Sequence, residues 1–224
     1  MSKPNSPGYK RKVQQQKKRQ KQLNRKLSIG IAAVVVLVLI IVSWPKPEPE
    51  PLPATRLGTD PALGVANAPV VIVEYGDFGC SSCRVWHQAG IRDQILAEYG
   101  DQVVFVWRDF PIITAQSPKA AEAGQCAFDQ DKFWDFHDYV YEHATSLSVS
   151  DLKKYARDVG LDGEQFDQCL DSGQNKAKVD QSLEQAYRLG FPGTPGFLVN
   201  EQKLPGPPMY QTLKGIIDET LAAQ

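Results

Sequence analysis

Two cysteines separated by two serines, Cys80-Ser81-Ser82-Cys83, are the residues of this sequence best suited to covalent chemistry. They follow Pro69 to Tyr75, a continuous β-branched run that reads as a strand buried on both faces, and they open a helical pattern running from Cys83 to Tyr99. A thiol at a helix N-terminus meets free backbone N–H groups and the positive end of the helix dipole, and both stabilise its thiolate. Thiolate is the form that attacks disulfides, so Cys80 is the expected nucleophile and Cys83, one turn on, its resolving partner. Zinc binding is the competing chemistry, because two cysteines at this spacing with His87 one turn later could supply part of a site. No second cysteine pair or close His pair completes it. His87 is therefore expected on the surface of the active-site helix, and His137 and His143 are expected to stand alone, exposed or hydrogen-bonded.

Two further features belong around an exchange site. Glu74 interrupts an apolar strand six residues before Cys80, where a buried carboxylate could take or relay the proton of Cys83; a strand-end salt bridge is the alternative. Phe191 to Phe197, Phe-Pro-Gly-Thr-Pro-Gly-Phe, forms a turn into another strand. A cis bond at Thr194-Pro195 would turn the Thr194 backbone toward a docking partner.

The elements that position these residues alternate. Strand patterns at 69–75, 102–110 and 196–200, with Lys203-Leu204 beyond a polar turn, are separated by helical patterns at 83–99, 118–189 and 210–223. That order predicts an α/β layer with a helical insertion at about 115–189. Within the insertion, Phe133, Phe136, His137 and Val140 share one helical face and read as core.

Composition places this domain in a longer design. The 224 residues carry a net charge of −1, but ten of the 25 Lys and Arg lie in residues 1–27, which hold no acid, so the remainder is −11. The basic block runs into an apolar stretch, and residues 28–44 contain no charge. At 1.5 Å per residue those residues reach roughly 25 Å as a helix, enough to cross a bilayer with some adaptation at the ends. No small-x-small cleavage site follows, so an uncleaved signal anchor is expected, with residues 1–27 a cytoplasmic tail and the rest outside. A nucleic-acid arm is the other use of a basic tail, but Tyr9 is its lone aromatic residue, and no nucleic-acid partner is expected. Alternate prolines make residues 45–56 a stiff linker. What folds is expected to span 57–224.

The motifs at 73–83 (Val-Glu-Tyr-Gly-Asp-Phe-Gly-Cys-Ser-Ser-Cys), 120–123 (Ala-Ala-Glu-Ala), 132–138 (Lys-Phe-Trp-Asp-Phe-His-Asp) and 193–197 (Gly-Thr-Pro-Gly-Phe) together resemble the DsbA-like branch of the thioredoxin superfamily. The resemblance implies a thioredoxin fold with a helical insertion and a cis Pro195 facing the dithiol. It assigns Cys80 as nucleophile, Cys83 as its partner, Glu74 as the buried acid, and Thr194 with Pro195 as the substrate-contacting loop. Ser81-Ser82 differs from the Pro-His of the best-known oxidases, so oxidising strength is left open. No cofactor or metal is implied.

Cys126 and Cys169 remain. Setting aside the adjacent pair leaves them to bond to each other in an oxidising compartment, with two buried free thiols as the alternative. The sequence therefore predicts a membrane-anchored, extracytoplasmic oxidase acting on exported cysteine-containing proteins. A membrane reoxidase of the DsbB or VKOR type is the implied electron acceptor. A reductase or isomerase with the same site, and a non-catalytic binding module with structural disulfides, are the alternatives.

Overall fold

A computed structural model describes residues 59–204 and 206–223. The expected basic tail, membrane segment and proline-rich linker, residues 1–56, lie outside the described residues. Among the described residues no helix is long and apolar enough to cross a membrane.

The centre of the molecule is the strand β2 (Val70–Gly76), and its sequence explains its place. Alternation sends Val70 and Ile72 to one face and Val73 and Tyr75 to the other, and each set joins a separate apolar cluster. β2 pairs in parallel with β3 (Val103–Asp109), which is buried along its whole length, with Glu74 opposite Trp107. On its other side β2 pairs antiparallel with β4 (Gly196–Val199), and β4 with β5 (Gln202–Leu204). A three-residue strand β1 (Ala62–Gly64) closes the far edge antiparallel to β3, giving the order β1-β3-β2-β4-β5.

Helices α1 (Ser81–Gln88) and α2 (Ile91–Tyr99) lie between β2 and β3, and α8 (Tyr210–Ala222) follows β5. Trp86 of α1, Ile95 of α2 and Leu213 and Ile217 of α8 pack with Ile72, Phe105 and Phe197 on one face of the sheet. Between β3 and β4 come α3 (Ser117–Phe128), α4 (Phe133–His143), α5 (Val149–Asp158), α6 (Gly163–Ser172) and α7 (Lys176–Arg188). Their starts follow local chemistry: Ser148 accepts the Asp151 N–H at 3.2 Å, and Asp162 accepts those of Glu164 and Gln165 at 2.9 and 3.0 Å. Ala186 of α7 covers the opposite sheet face with Phe191. The other inserted helices form their own core, in which Phe133, Phe136, Val140, Leu152, Phe166 and Leu170 pack together. A disulfide between Cys126 on α3 and Cys169 on α6 joins two of these helices, with the S–S bond at 1.99 Å.

Two elements differ from the sequence reading. The helical pattern 83–99 is two helices, broken where Gly90 takes a positive φ of 65° and donates its N–H to His87 O. Strand β1 carries no β-branched run and exists only because β3 offers it an open edge.

Candidate active site

The turn that carries the cysteines is built by Asp77, which is 1% exposed at the end of β2. One carboxylate oxygen accepts the Gly79 N–H at 2.7 Å, and the other accepts those of Ile112 and Ile113, both at 2.8 Å. The turn after β2 is thereby tied to the loop after β3. Gly76 must lack a side chain, because a Cβ there would lie 2.1 Å from the Trp107 ring. Phe78 is then driven into the core against Trp107, Phe136 and Tyr141.

Cys80 is the N-cap of α1, with extended φ and ψ of −87° and 118°, and its sulfur accepts the Cys83 N–H at 3.4 Å. Cys80 and Cys83 are both free thiols. The bond between Thr194 and Pro195 is cis, and the Thr194 carbonyl accepts the Cys80 thiol at 3.3 Å. The structure therefore gathers Cys80, Cys83, Thr194 and Pro195 where β2 ends and the antiparallel β4 begins. A groove of about 220 Å³ opens beside this loop, lined by Phe191, Pro192, Thr194, Pro195 and Leu204.

The two thiols differ in acid strength. Hydrogen bonding from the Cys83 side chain, joined by the N–H groups of Cys83 and Ser82, holds Cys80 down to about 6 against the opposing effect of burial. Burial pushes Cys83 far up, and its hydrogen bond to Cys80 and the charge of Glu74 add to this. Glu74 is 3% exposed on β2, and burial raises it to about 8 although the Arg92 charge pulls it down. It is thus a carboxyl group kept in the core beneath the dithiol, not a strand-end surface ion pair.

Sequence reasoning missed the polar cluster beside these groups. Arg92 on α2, 7% exposed, holds both oxygens of Asp138 on α4 at 2.9 and 3.0 Å and also reaches Asp93 at 2.8 Å. His137 Nδ1 lies 2.7 Å from Asp138 Oδ1. His87 is not on the surface as its helix position implied. Its ring packs edge-on against His137 at 5.4 Å, and its nitrogens face Asp138 and Glu142 at 3.8 and 3.9 Å. The expectation that His137 stands alone fails for the same reason: α1, α2 and α4 converge there. The signal was present, since His137 shares the apolar stripe of Phe133, Phe136 and Val140 and had to be buried with it. His87 thus turns to α4 rather than joining the cysteines as a ligand set. His87, His137 and Asp138 do offer three ligand atoms within 4.8 Å of one another, but the Arg92 guanidinium occupies both Asp138 oxygens, where a cation would have to bind.

The Cys126–Cys169 disulfide lies away from this site among the inserted helices, 1% and 5% exposed, with Asn175 Nδ2 3.4 Å from the Cys169 sulfur. It caps no helix N-terminus.

Comparison with known proteins agrees with this geometry. A thioredoxin family model matches residues 56–219. The oxidised structure of BdbD from Bacillus subtilis is similar at a TM-score of 0.68 and 25% identity, over 74% of this chain and 94% of that one. A thioredoxin-like oxidoreductase from Silicibacter pomeroyi is similar at 0.67 and 31%, with the same coverage of both chains. The chain also matches a Na(+)/H(+) antiporter, NhaA 1 of Mycolicibacterium vanbaalenii, 36% identical over 152 residues, which is 66% of this chain and 24% of the antiporter. The chain thus spans about a quarter of the length of the curated relatives it matches. From the family model and the fold it shares with these oxidoreductases, the chain belongs to the thioredoxin family, in its DsbA-like branch of thiol-disulfide oxidoreductases.

Proposed function

We propose that this protein is a disulfide oxidase for exported cysteine-containing proteins, held at the membrane through residues 28–44 with its catalytic domain outside the cytoplasm. The observation that carries the chemistry is the placing of two free thiols one helical turn apart, with Cys80 as the N-cap of α1, its sulfur 3.4 Å from the Cys83 N–H and 3.3 Å from the Thr194 carbonyl beside the cis Pro195; hydrogen bonding lowers Cys80 and burial raises Cys83. A substrate thiolate attacks Cys80 of the oxidised pair, and the Cys80–Cys83 bond breaks with its electrons passing to Cys83. The buried Cys83 thiolate takes a proton from Glu74. A second substrate thiol, after losing its proton to solvent, attacks the mixed disulfide as thiolate and leaves with its own disulfide closed, while Cys80 departs as a stabilised thiolate. That low leaving-group pKa favours release of the reduced enzyme. The groove beside Thr194 and Pro195 supports the docking of an extended chain next to the sulfur.

Regeneration needs a disulfide acceptor, for which a membrane reoxidase of the DsbB or VKOR type fits a catalyst kept at the bilayer. Residues 1–27 supply the basic flank, and 45–56 the spacer, for such an arrangement.

The redox equilibrium of the Cys80–Cys83 pair with glutathione, read by alkylation and mass, tests the reading. A potential near about −120 to −180 mV is expected for an oxidase. A value near about −270 mV moves the assignment to a reductase. A pair inert to glutathione overturns the catalytic reading and leaves a binding module.

A further inference from the structure

A second cavity, about 330 Å³, opens between β3, α3 and α7, and none of Cys80, Cys83, Thr194 or Pro195 lines it. Small-molecule sites run from roughly 300 to 1,000 Å³, so it is large enough to hold a small solute. Four charged residues line it, Asp60, Arg108, Asp109 and Lys178. Arg108 and Asp60 neutralise each other: Arg108 Nε donates to Asp60 Oδ2 at 3.0 Å, and Nη2 pairs with the same oxygen at 2.9 Å. Arg108 Nη1 is taken up by Gln185 Oε1 at 2.7 Å and the Tyr75 hydroxyl at 3.2 Å.

Asp109 and Lys178 do not pair. Asp109 is 1% exposed and accepts from two neutral donors, Trp107 Nε1 at 2.9 Å and Gln125 Nε2 at 2.6 Å. Lys178 lies over the Phe128 ring at 4.4 Å and, among the described residues, meets no carboxylate within ion-pair distance. Both charges are present at pH 7. Burial raises Asp109 only to about 6, and the burial that lowers Lys178 is opposed by the carboxylates of Asp60, Asp109 and Asp129. Two more polar atoms at this cavity, Gln125 Oε1 and Ser182 Oγ, are buried without a hydrogen-bond partner among the described residues. Gln125 is 2% exposed, and its amide orientation is set by chemistry, because only the NH2 group can donate to Asp109. Its Oε1 is left as an acceptor that a donor must meet.

These groups select their occupant by charge. A lone cation beside Asp109 would be repelled by Lys178 and Arg108, and a lone anion beside Lys178 by Asp109 and Asp60. A molecule carrying both charges satisfies both ends, and Gln125 Oε1 adds the requirement that its cationic end bear N–H groups. We propose that this cavity binds a free α-amino acid, its ammonium donating to Asp109 and Gln125 Oε1 and its carboxylate accepting from Lys178 and Ser182. The site takes no part in thiol exchange and stands whether or not Cys80 and Cys83 cycle.

Calorimetric titration of the full chain in detergent at pH 7 with the free L-amino acids, one at a time, tests the assignment. At least one is expected to bind at a single site per chain. Its N-acetyl and methyl ester derivatives each lack one charge, and its N,N,N-trimethyl derivative keeps both charges but has no N–H. Each should bind about tenfold or more weakly, the cost of a lost charged hydrogen bond. Lys178→Met, which keeps an apolar stem over Phe128, and Asp109→Asn should weaken the free amino acid by a similar factor, with an unchanged rate of Cys80 alkylation showing that both variants are folded. The derivatives, tested on wild type, decide the matter if either variant fails to fold. A cavity that holds only water gives no heat with any amino acid at millimolar concentration, and that result overturns the proposal. Wild-type affinity for the blocked derivatives, or wild-type affinity in folded Lys178→Met, overturns it equally.

Discussion

Replacing Glu74 with Gln keeps the side chain's size and removes its ionisable proton, which isolates what the buried carboxyl costs the fold. Burial raises this acid from 4.5 to about 8, so the native state holds a proton that the unfolded chain has already released at neutral pH. The penalty is absent below about pH 4.5, grows as pH rises, and is complete above about pH 8. At 1.36 kcal/mol per pH unit, the linkage amounts to about 3 kcal/mol at pH 7 and nearly nothing at pH 4. Gln avoids it, because Arg92 keeps Asp138 and Asp93 as partners and is not left unpaired. Urea unfolding with the Cys80–Cys83 pair oxidised reads the effect without interference from the thiols. With a slope of about 2 kcal/mol/M, the Glu74→Gln midpoint should lie about 1.5 M above wild type at pH 7 and coincide with it at pH 4. The same variant should close the mixed disulfide at Cys80 more slowly, as a more stable but less active protein. Coincident midpoints at pH 7, or an equal gap at both pH values, would refute the reasoning.

Two further outcomes follow from the site and from the inserted helices. Alkylation of reduced protein by iodoacetamide should modify Cys80 with a rate that titrates near pH 6 and should leave the buried Cys83 unmodified; a midpoint above about pH 8 would contradict the hydrogen-bonded thiolate. Removing the second disulfide with Cys126→Ala and Cys169→Ala should lower stability by about 4 kcal/mol on the chain-entropy model, and leave the Cys80 alkylation profile unchanged. That estimate follows from the sequence separation of 43, and thermal unfolding of the two proteins measures it.

Much of this protein was legible because the relevant physics is local. The β-branched run before Cys80 marks a strand buried on both faces, and a two-residue gap marks cysteines one helical turn apart, whatever the rest of the chain does. Glu74 was visible as an anomaly, a carboxyl in a row of valines and isoleucine whose burial follows from its neighbours. Thr194-Pro195 was visible as a turn, and the family resemblance implied its cis bond facing the dithiol; its place over Cys80, 114 residues away, is made by the pairing of β4 with β2. The break at Gly90 carried a local signal that the helical periodicity obscured. Strand β1 carried none, because three unremarkable residues become a strand only against an open edge.

The charged surroundings of the dithiol were decided by tertiary structure alone. Arg92 and Asp138 are 46 residues apart, and no periodicity relates them. They meet because α4, at the start of the insertion's own core, packs against α1 beside α2, which brings His87, His137, Arg92 and the partly exposed Asp138 into one cluster. Identity and order of residues determined which thiol can be a nucleophile and which carboxyl can hold a proton. Which charged groups surround them depends on distances between helices, and those are set by how apolar faces pack, which sequence spacing along any single helix does not contain.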